Sequence, residues 1–331
     1  MSNKKIPVAV IGAGIGQIHI KCYSELKNCR LVAVSDANDN LLKQATQQFK
    51  VKVYTDFREM FKRESIKAVS ICTPPHTHKE VVSEAINRKI SVLCEKPLAL
   101  NVKDGKQLVN LAKEKKVILL TGFCFRFHEL VNEAQKIIKK GMLGKIRMFR
   151  NRFGMFYNPE IFSWKSKKEL AGGVLQESSP HSIDLFRYIV GEIKGVFAIA
   201  NTLHNEKNID ENLIILLRDK NGVIGTLEGS WTTPNSSNVL EIDGTDGSIH
   251  IDFSKNNWAG ELIFMNSKSN SKPIVKVGKG ESRFYLQQKH FLNYVGGITK
   301  DPKISPEDGI KALEIVEACL RSISENQWIN I

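Results

Sequence analysis

Short apolar runs rich in β-branched residues alternate with amphipathic stretches through the first third of the chain. The runs are Val8-Ala9-Val10-Ile11, Leu31-Val32-Ala33-Val34, Ala68-Val69-Ser70-Ile71, Ser91-Val92-Leu93 and Val117-Ile118-Leu119-Leu120. Continuous apolar strands separated by helical patterns predict a parallel sheet covered on both faces, the doubly wound α/β arrangement of a Rossmann domain. After residue 123 the rhythm changes: strand-like segments at 195–203, 213–217, 223–231, 239–242, 248–251 and 261–265 follow one another with only turns between them. Asn221-Gly222 and Asp246-Gly247 have the composition of hairpin turns. These segments predict a large, mainly antiparallel sheet. Helical patterns flank it at 130–140, 182–190, 284–295 and 306–324, the last opening on Ser305 as N-cap with Pro306 at the first helical position. The expectation is therefore a dinucleotide-binding domain over 1–123 and an α+β domain for substrate binding and oligomerisation over 124–331.

Composition narrows the class. The 331 residues suffice for two cores, and 42% of them are hydrophobic. No stretch approaches the roughly 18 apolar residues of a membrane span, and the start of the chain runs from a polar segment straight into the first strand. The six cysteines are scattered without a Cys-x-x-Cys pair, as in a reducing cytoplasm, and imply neither a disulfide framework nor a zinc site. A net charge of +13 attracts a polyanion only where it is concentrated. Its densest runs, Lys113-Glu114-Lys115-Lys116 and Trp164-Lys165-Ser166-Lys167-Lys168, lack the interleaved aromatics of a nucleic-acid platform. No nucleic acid, membrane or metal partner is expected. A phosphorylated or carboxylated substrate stays open.

Gly12-Ala13-Gly14-Ile15-Gly16 follows the first strand and opens a helical stretch, the context in which glycines let a backbone approach a pyrophosphate. Gln17 stands where the usual third glycine would be, and Gly16 comes one place early. Asp36 ends the second strand, where a carboxylate accepts both ribose hydroxyls of the adenosine and repels a 2′-phosphate. With Ala37-Asn38-Asp39 next and no arginine, NAD is preferred over NADP.

Three strand-end motifs follow: Cys72-Thr73-Pro74-Pro75-His76-Thr77-His78, Cys94-Glu95-Lys96-Pro97-Leu98 and Gly122-Phe123-Cys124-Phe125-Arg126-Phe127. With Gly172 to Asp184, the Gly244-Thr245-Asp246-Gly247 turn and the closing Glu307-Asp308-Gly309, this series resembles the glucose-fructose oxidoreductase and inositol dehydrogenase group, the Gfo/Idh/MocA family. The resemblance implies a nicotinamide-dependent dehydrogenase acting on a secondary alcohol or ketone of a sugar, cyclitol or sugar derivative. It assigns the cofactor to the glycine loop, Asp36, Thr73, Pro74, Pro75, His78, Glu95 and Lys96. It implies a cis peptide before Pro97, with Lys96 polarising the substrate hydroxyl. His181 is the implied general acid/base, since imidazole titrates near neutral pH.

The family's Asp-x-Gly-x-His-x-x-Asp pattern here reads Glu177-x-Ser179-x-His181-x-x-Asp184, and Cys124 stands where asparagine or histidine is common. Glu177 joins Lys96 and His181 as a catalytic candidate; Arg126, Trp164 and Asp184 are candidates for substrate contact. Asp184 either orients the His181 ring or caps the helix, and Trp164 and Trp231 are either a sugar wall or core. His19 is expected to pack, and His76 and His78 lack a third metal ligand. The family resemblance implies a homodimer or homotetramer through the exposed sheet face. Two rivals remain: an NAD-dependent glycosidase on the same fold, and a non-catalytic sensor of cofactor or sugar.

Overall fold

The computed structural model of the chain describes residues 5–157, 164–203, 209–268 and 272–331. Two units emerge, each with its own sheet. The first takes Met1–Cys124 and Arg283–Leu313, the second Phe125–Ser282 and Glu314–Ile331.

In the first unit the chain runs β1 (Ile6–Ile11), α1 (Gly16–Glu25), β2 (Cys29–Ser35), α2 (Asp39–Phe49), β3 (Lys52–Tyr54), α3 (Phe57–Arg63) and β4 (Ala68–Ile71). It continues through α4 (Pro75–Asn87), β5 (Ser91–Cys94), α5 (Val102–Lys115) and β6 (Leu119–Thr121). The strands form one parallel sheet in the order β3-β2-β1-β4-β5-β6. The order reverses between β1 and β4, the switch point where ligands bind in such sheets. All four residues of β4 are buried, as two helical layers require. β3 lies outside the apolar runs of the sequence because it is a three-residue edge strand with no buried position.

The second unit begins with α6 (Glu129–Lys139), β7 (Ile146–Phe156), α7 (Val174–Glu177) and α8 (Ser179–Ile189). There follow β8 (Ile193–Asn201), β9 (Asn212–Asp219), β10 (Ile224–Ser230), β11 (Thr232–Gly244), β12 (Gly247–Asp252), the short α9 (Lys255–Trp258), β13 (Glu261–Asn266) and β14 (Ile274–Val277). After α10 (Arg283–Val295) and α11 (Pro306–Glu325), β15 (Ile329–Asn330) closes a nine-stranded sheet in the order β14-β13-β12-β11-β7-β10-β9-β8-β15. Every pairing is antiparallel except β7 with β10. β9 alternates buried and exposed residues along its length, so one sheet face is packed and the other open. β7 is missing from the sequence-based set because Arg147, Arg150 and Arg152 interrupt its apolar positions. Asn151 on β7 is nevertheless buried, bonding the Val239 carbonyl and the Ser182 hydroxyl. The polar stretch from Lys268 to Lys272, which reads as a loop in the sequence, lies largely outside the described residues.

The expected continuous second domain is interrupted. α10 and the first part of α11 belong to the first unit, because Phe291 and Leu292 complete the apolar cluster of Val8, Val10, Ile20 and Tyr23. A helix with an apolar face joins whichever sheet offers it a hydrophobic surface, and sequence position alone does not choose the sheet. α11 opens with the Ser305 N–H donating to the Asp308 carboxylate at 2.7 Å. Ile310 and Leu313 then enter the core beside Leu98 and Leu108. At Gly309 a Cβ would stand 2.5 Å from Thr121 Oγ1 and 2.9 Å from Leu98 Cδ2, so the helix sits where only glycine fits. Gly309→Val should therefore lower stability by about 2 kcal/mol, a typical overpacking cost, read as a fall in the thermal unfolding midpoint.

Candidate functional site

The carboxyl end of the first sheet is built by close backbone approach. Gly12 has φ +90°, and a Cβ there would stand 2.6 Å from backbone atoms of Cys72 and Thr73. Gly16 would bring a Cβ to 3.1 Å from Val10 Cγ1 and 3.2 Å from Cys72 Cβ, so its absence lets α1 lie against β1 and β4. Close helix–sheet packing is the third glycine's part in the usual fingerprint, and here Gly16 performs it one position early. Gly14 faces open space and Ile15 is exposed. α1 begins with no side-chain cap and no acidic residue in its first turn, so its N-terminal N–H groups and dipole suit a pyrophosphate. Asp36 accepts from the Ala13 N–H at 2.6 Å and the Asn38 N–H at 2.7 Å, which sets its carboxylate at the edge of the glycine loop. These residues fit a dinucleotide.

Beyond β4, Thr77 Oγ1 donates to Thr73 Oγ1 at 2.7 Å, and Pro75 is the first residue of α4. His78 is fully buried, its Nδ1 2.7 Å from the Pro97 carbonyl and its Nε2 2.8 Å from that of Thr73. Burial lowers its pKa, so the neutral ring carries one N–H for two carbonyls. His78 ties the Thr73 loop to the Lys96-Pro97 loop from beneath, while His76 is exposed. Among the described residues no group of three His, Cys, Asp or Glu side chains is placed to hold a metal ion.

The Lys96-Pro97 peptide is cis. Glu95 before it is 7% exposed, and its Oε1 accepts from His19 Nε2 at 3.1 Å. Gly122 makes this possible, since a Cβ there would lie 2.9 Å from Glu95 Oε1. His19 thus packs, as expected, but packs as the donor to a buried carboxylate. Lys96 itself is half-buried. Cys124 accepts from Arg283 Nε at 3.3 Å, and burial pushes its thiol above the ordinary range. All six cysteines are buried thiols outside any disulfide.

In the second unit His181 lies in the first turn of α8, half-buried, edge-on to Phe125 with ring centroids 5.3 Å apart. Asp184 is 1% exposed and takes two bonds from Arg126, at 2.9 Å from Nε and 2.6 Å from Nη2. The carboxylate that Arg126 meets is therefore the protein's own. Glu177 closes α7, with Lys165 Nζ 2.9 Å from its Oε1 and Ser178 Oγ donating to its Oε2 at 2.7 Å. Ser179 is buried and donates to the Val174 carbonyl. Trp231 is 3% exposed, with its Nε1 donating to Ser178 Oγ, which settles it as core; Trp164 is half-buried.

Sequence reasoning missed Asp210. Its backbone carbonyl accepts from the Val174 N–H and its Oδ2 from the Leu175 N–H at 2.5 Å, capping the segment that carries Glu177. Gly173, with φ +98°, leaves room for the carboxylate. No local motif marks such a cap, because Asp210 is 35 residues from Leu175.

Comparison with known proteins bears on both units. Residues 6–123 match the family model described as an oxidoreductase family with an NAD-binding Rossmann fold, and residues 131–250 match the GFO/IDH/MocA C-terminal domain. The chain is 26% identical over 333 residues to a myo-inositol 2-dehydrogenase of Thermotoga maritima, covering 98% of each chain. A 2,7-anhydro-N-acetylneuraminate hydratase of Escherichia coli is 34% identical over 203 residues, covering 60% of this chain and 54% of that protein. A levoglucosan dehydrogenase solved with NADH and levoglucosan superposes with a TM-score of 0.89 at 24% identity over 99% of both chains, a likeness of fold.

Burial pushes the Asp210 pKa up to about 6 from 3.8, despite the N–H groups that favour the ionised form. A carboxyl group with a raised folded pKa binds more protons folded than unfolded, so its contribution to stability falls as pH rises from about 4 to about 6. Asp210→Asn keeps an acceptor without the charge. The variant should be more stable than wild type at pH 7.5 by about 1–3 kcal/mol, and the gain should vanish near pH 4, as followed by thermal unfolding across that range.

Proposed function

Because the chain belongs to the Gfo/Idh/MocA family of NAD-dependent oxidoreductases, we propose that it oxidises a secondary alcohol on a polyhydroxylated ring, or reduces the matching ketone. The observation that supports this most is the turn at Glu95-Lys96-Pro97, where the buried Glu95–His19 pair fixes the residue next to the half-buried Lys96 just beyond β5. A lysine so placed donates to the substrate hydroxyl and stabilises negative charge as it develops on that oxygen. His181 takes the hydroxyl proton in oxidation and returns it in reduction. Glu177 acts beside it in binding substrate, and Trp164 offers a ring face to the sugar. The Arg126–Asp184 pair acts indirectly in this reading, anchoring α8 under His181. Thr73, Pro74 and Pro75 complete the cofactor side with the glycine loop and Asp36, and His78 serves it by holding their loop. The bound nicotinamide supplies the hydride acceptor.

A second reading has a specific support in the relative named as a hydratase: a transient oxidation at one ring carbon that activates elimination at the next, with water adding and the oxidation reversed before product leaves. Substrate would then be converted with no lasting change in NADH.

The open face of the second sheet supports self-association. Ile199, Ile214, Leu216 and Ile224 on neighbouring strands are 58%, 49%, 43% and 50% exposed, and Ile199 pairs directly with Ile214. An apolar sheet face of this breadth favours cover by a second copy, so light scattering should report a dimer or tetramer. Among the described residues no helix is long and apolar enough to cross a membrane.

The reading is tested by absorbance at 340 nm with NAD and then NADP against inositols, aldoses, anhydrosugars, uronates and nucleotide sugars. Reduction of NAD by one class is expected; product formation without net NADH would favour the second reading. His181→Ala should lower kcat by about 10² or more while the NADH dissociation constant stays within about twofold, and wild-type turnover in that variant would remove His181 from the mechanism.

A further inference from the structure

Among the described residues of the second unit, two ion pairs involve carboxylates that flank His181 in sequence. Arg126 is spent on Asp184, both nearly inaccessible, and Lys165 lies 2.9 Å from Glu177 with 31% and 14% of the two side chains exposed. The basic run at 165–168 thus contributes its one half-buried cation to an ion pair; Lys167 and Lys168 are exposed. Lys165 Nζ also sits over two rings, 5.6 Å from the centre of Tyr157 and 5.8 Å from that of Trp164. Glu177 precedes His181 by four residues and is steadied by Ser178 Oγ.

Resting on the assignment of Glu177 and His181 to substrate above, we propose that Lys165 is a specificity-determining residue: with Glu177 it forms a donor and acceptor pair that grips neighbouring hydroxyls of an uncharged ring, against Tyr157 and Trp164. A hydroxyl both donates and accepts, so it is matched by an ammonium and a carboxylate held side by side. Apolar C–H faces of a sugar or cyclitol suit the adjoining aromatic rings. An anionic substituent meets the opposite situation. Its attraction to Lys165 is offset by repulsion from Glu177 at the same distance scale, and Arg126 is already neutralised by a buried bidentate carboxylate. Local charge therefore selects neutral polyols over uronates and sugar phosphates, despite the chain's net charge of +13.

The test is calorimetric titration of the full-length protein saturated with NADH. The probes are myo-inositol, D-glucose and 1,6-anhydro-D-glucose, with D-glucuronate and D-glucose 6-phosphate as acidic counterparts. At least one neutral ring should bind about tenfold more tightly than either acid, and Lys165→Met should weaken it about tenfold, the scale of a lost charged hydrogen bond. NADH affinity should be unchanged in Lys165→Met, and Lys165→Arg should recover part of the loss, neither of which a misfolded variant would show. Acids binding as tightly as the neutral rings, no neutral ring binding, or Lys165→Met binding like wild type would each overturn the proposal. Binding of a neutral ring that depends on Lys165, with no NAD reduction in the 340 nm assay, would sink the dehydrogenase reading and leave this one standing.

Discussion

A carboxylate removed from water must be met by donors, and four such carboxylates organise the chemistry-bearing segments of this protein. Glu95 is met by His19, Asp184 by Arg126, Glu177 by Lys165 and Ser178, and Asp210 by the Leu175 N–H. An unmet buried charge costs several kcal/mol, so each pairing dictates where its backbone segment lies. Lys96 follows the first of these carboxylates directly. His181 is bracketed by the second and third, three residues after it and four before it.

The pairs differ in what they confer. Arg126 and Asp184 are almost wholly buried, and replacing such a pair by apolar residues is often no less stable, so its value lies in specifying one arrangement of α8. Asp210 goes further, since burial disfavours its ionised form and pushes its pKa up to about 6. A capping asparagine would serve stability better there.

Backbone contact has a comparable part in the first unit. Gly12, Gly16 and Gly122 each stand where a side chain would collide, with Cys72 and Thr73, with Val10 and Cys72, and with Glu95 respectively. The first two bring the β1–α1 turn onto β4, and the third admits the carboxylate beside Lys96. The β1–α1 turn and the Lys96 loop thus depend on the same economy of side-chain volume at the carboxyl end of one sheet.

The strand runs, the hairpin turns and the glycine loop with Asp36 were legible in the chain because periodicity and turn chemistry are local properties. So was the order of the strand-end motifs, on which the family resemblance rests. The edge strand β3 and the arginine-bearing β7 were not, since neither shows an apolar run and each owes its place to its neighbours in the sheet. Nor was the return of α10 to the first unit, which Phe291 and Leu292 decide by the core they complete. The partners of the site residues were beyond reach for the same reason. Arg126 and Asp184 are 58 residues apart and Asp210 is 35 from the N–H it caps, and a charge reveals whether it serves a ligand or the fold only when its neighbour in space is known.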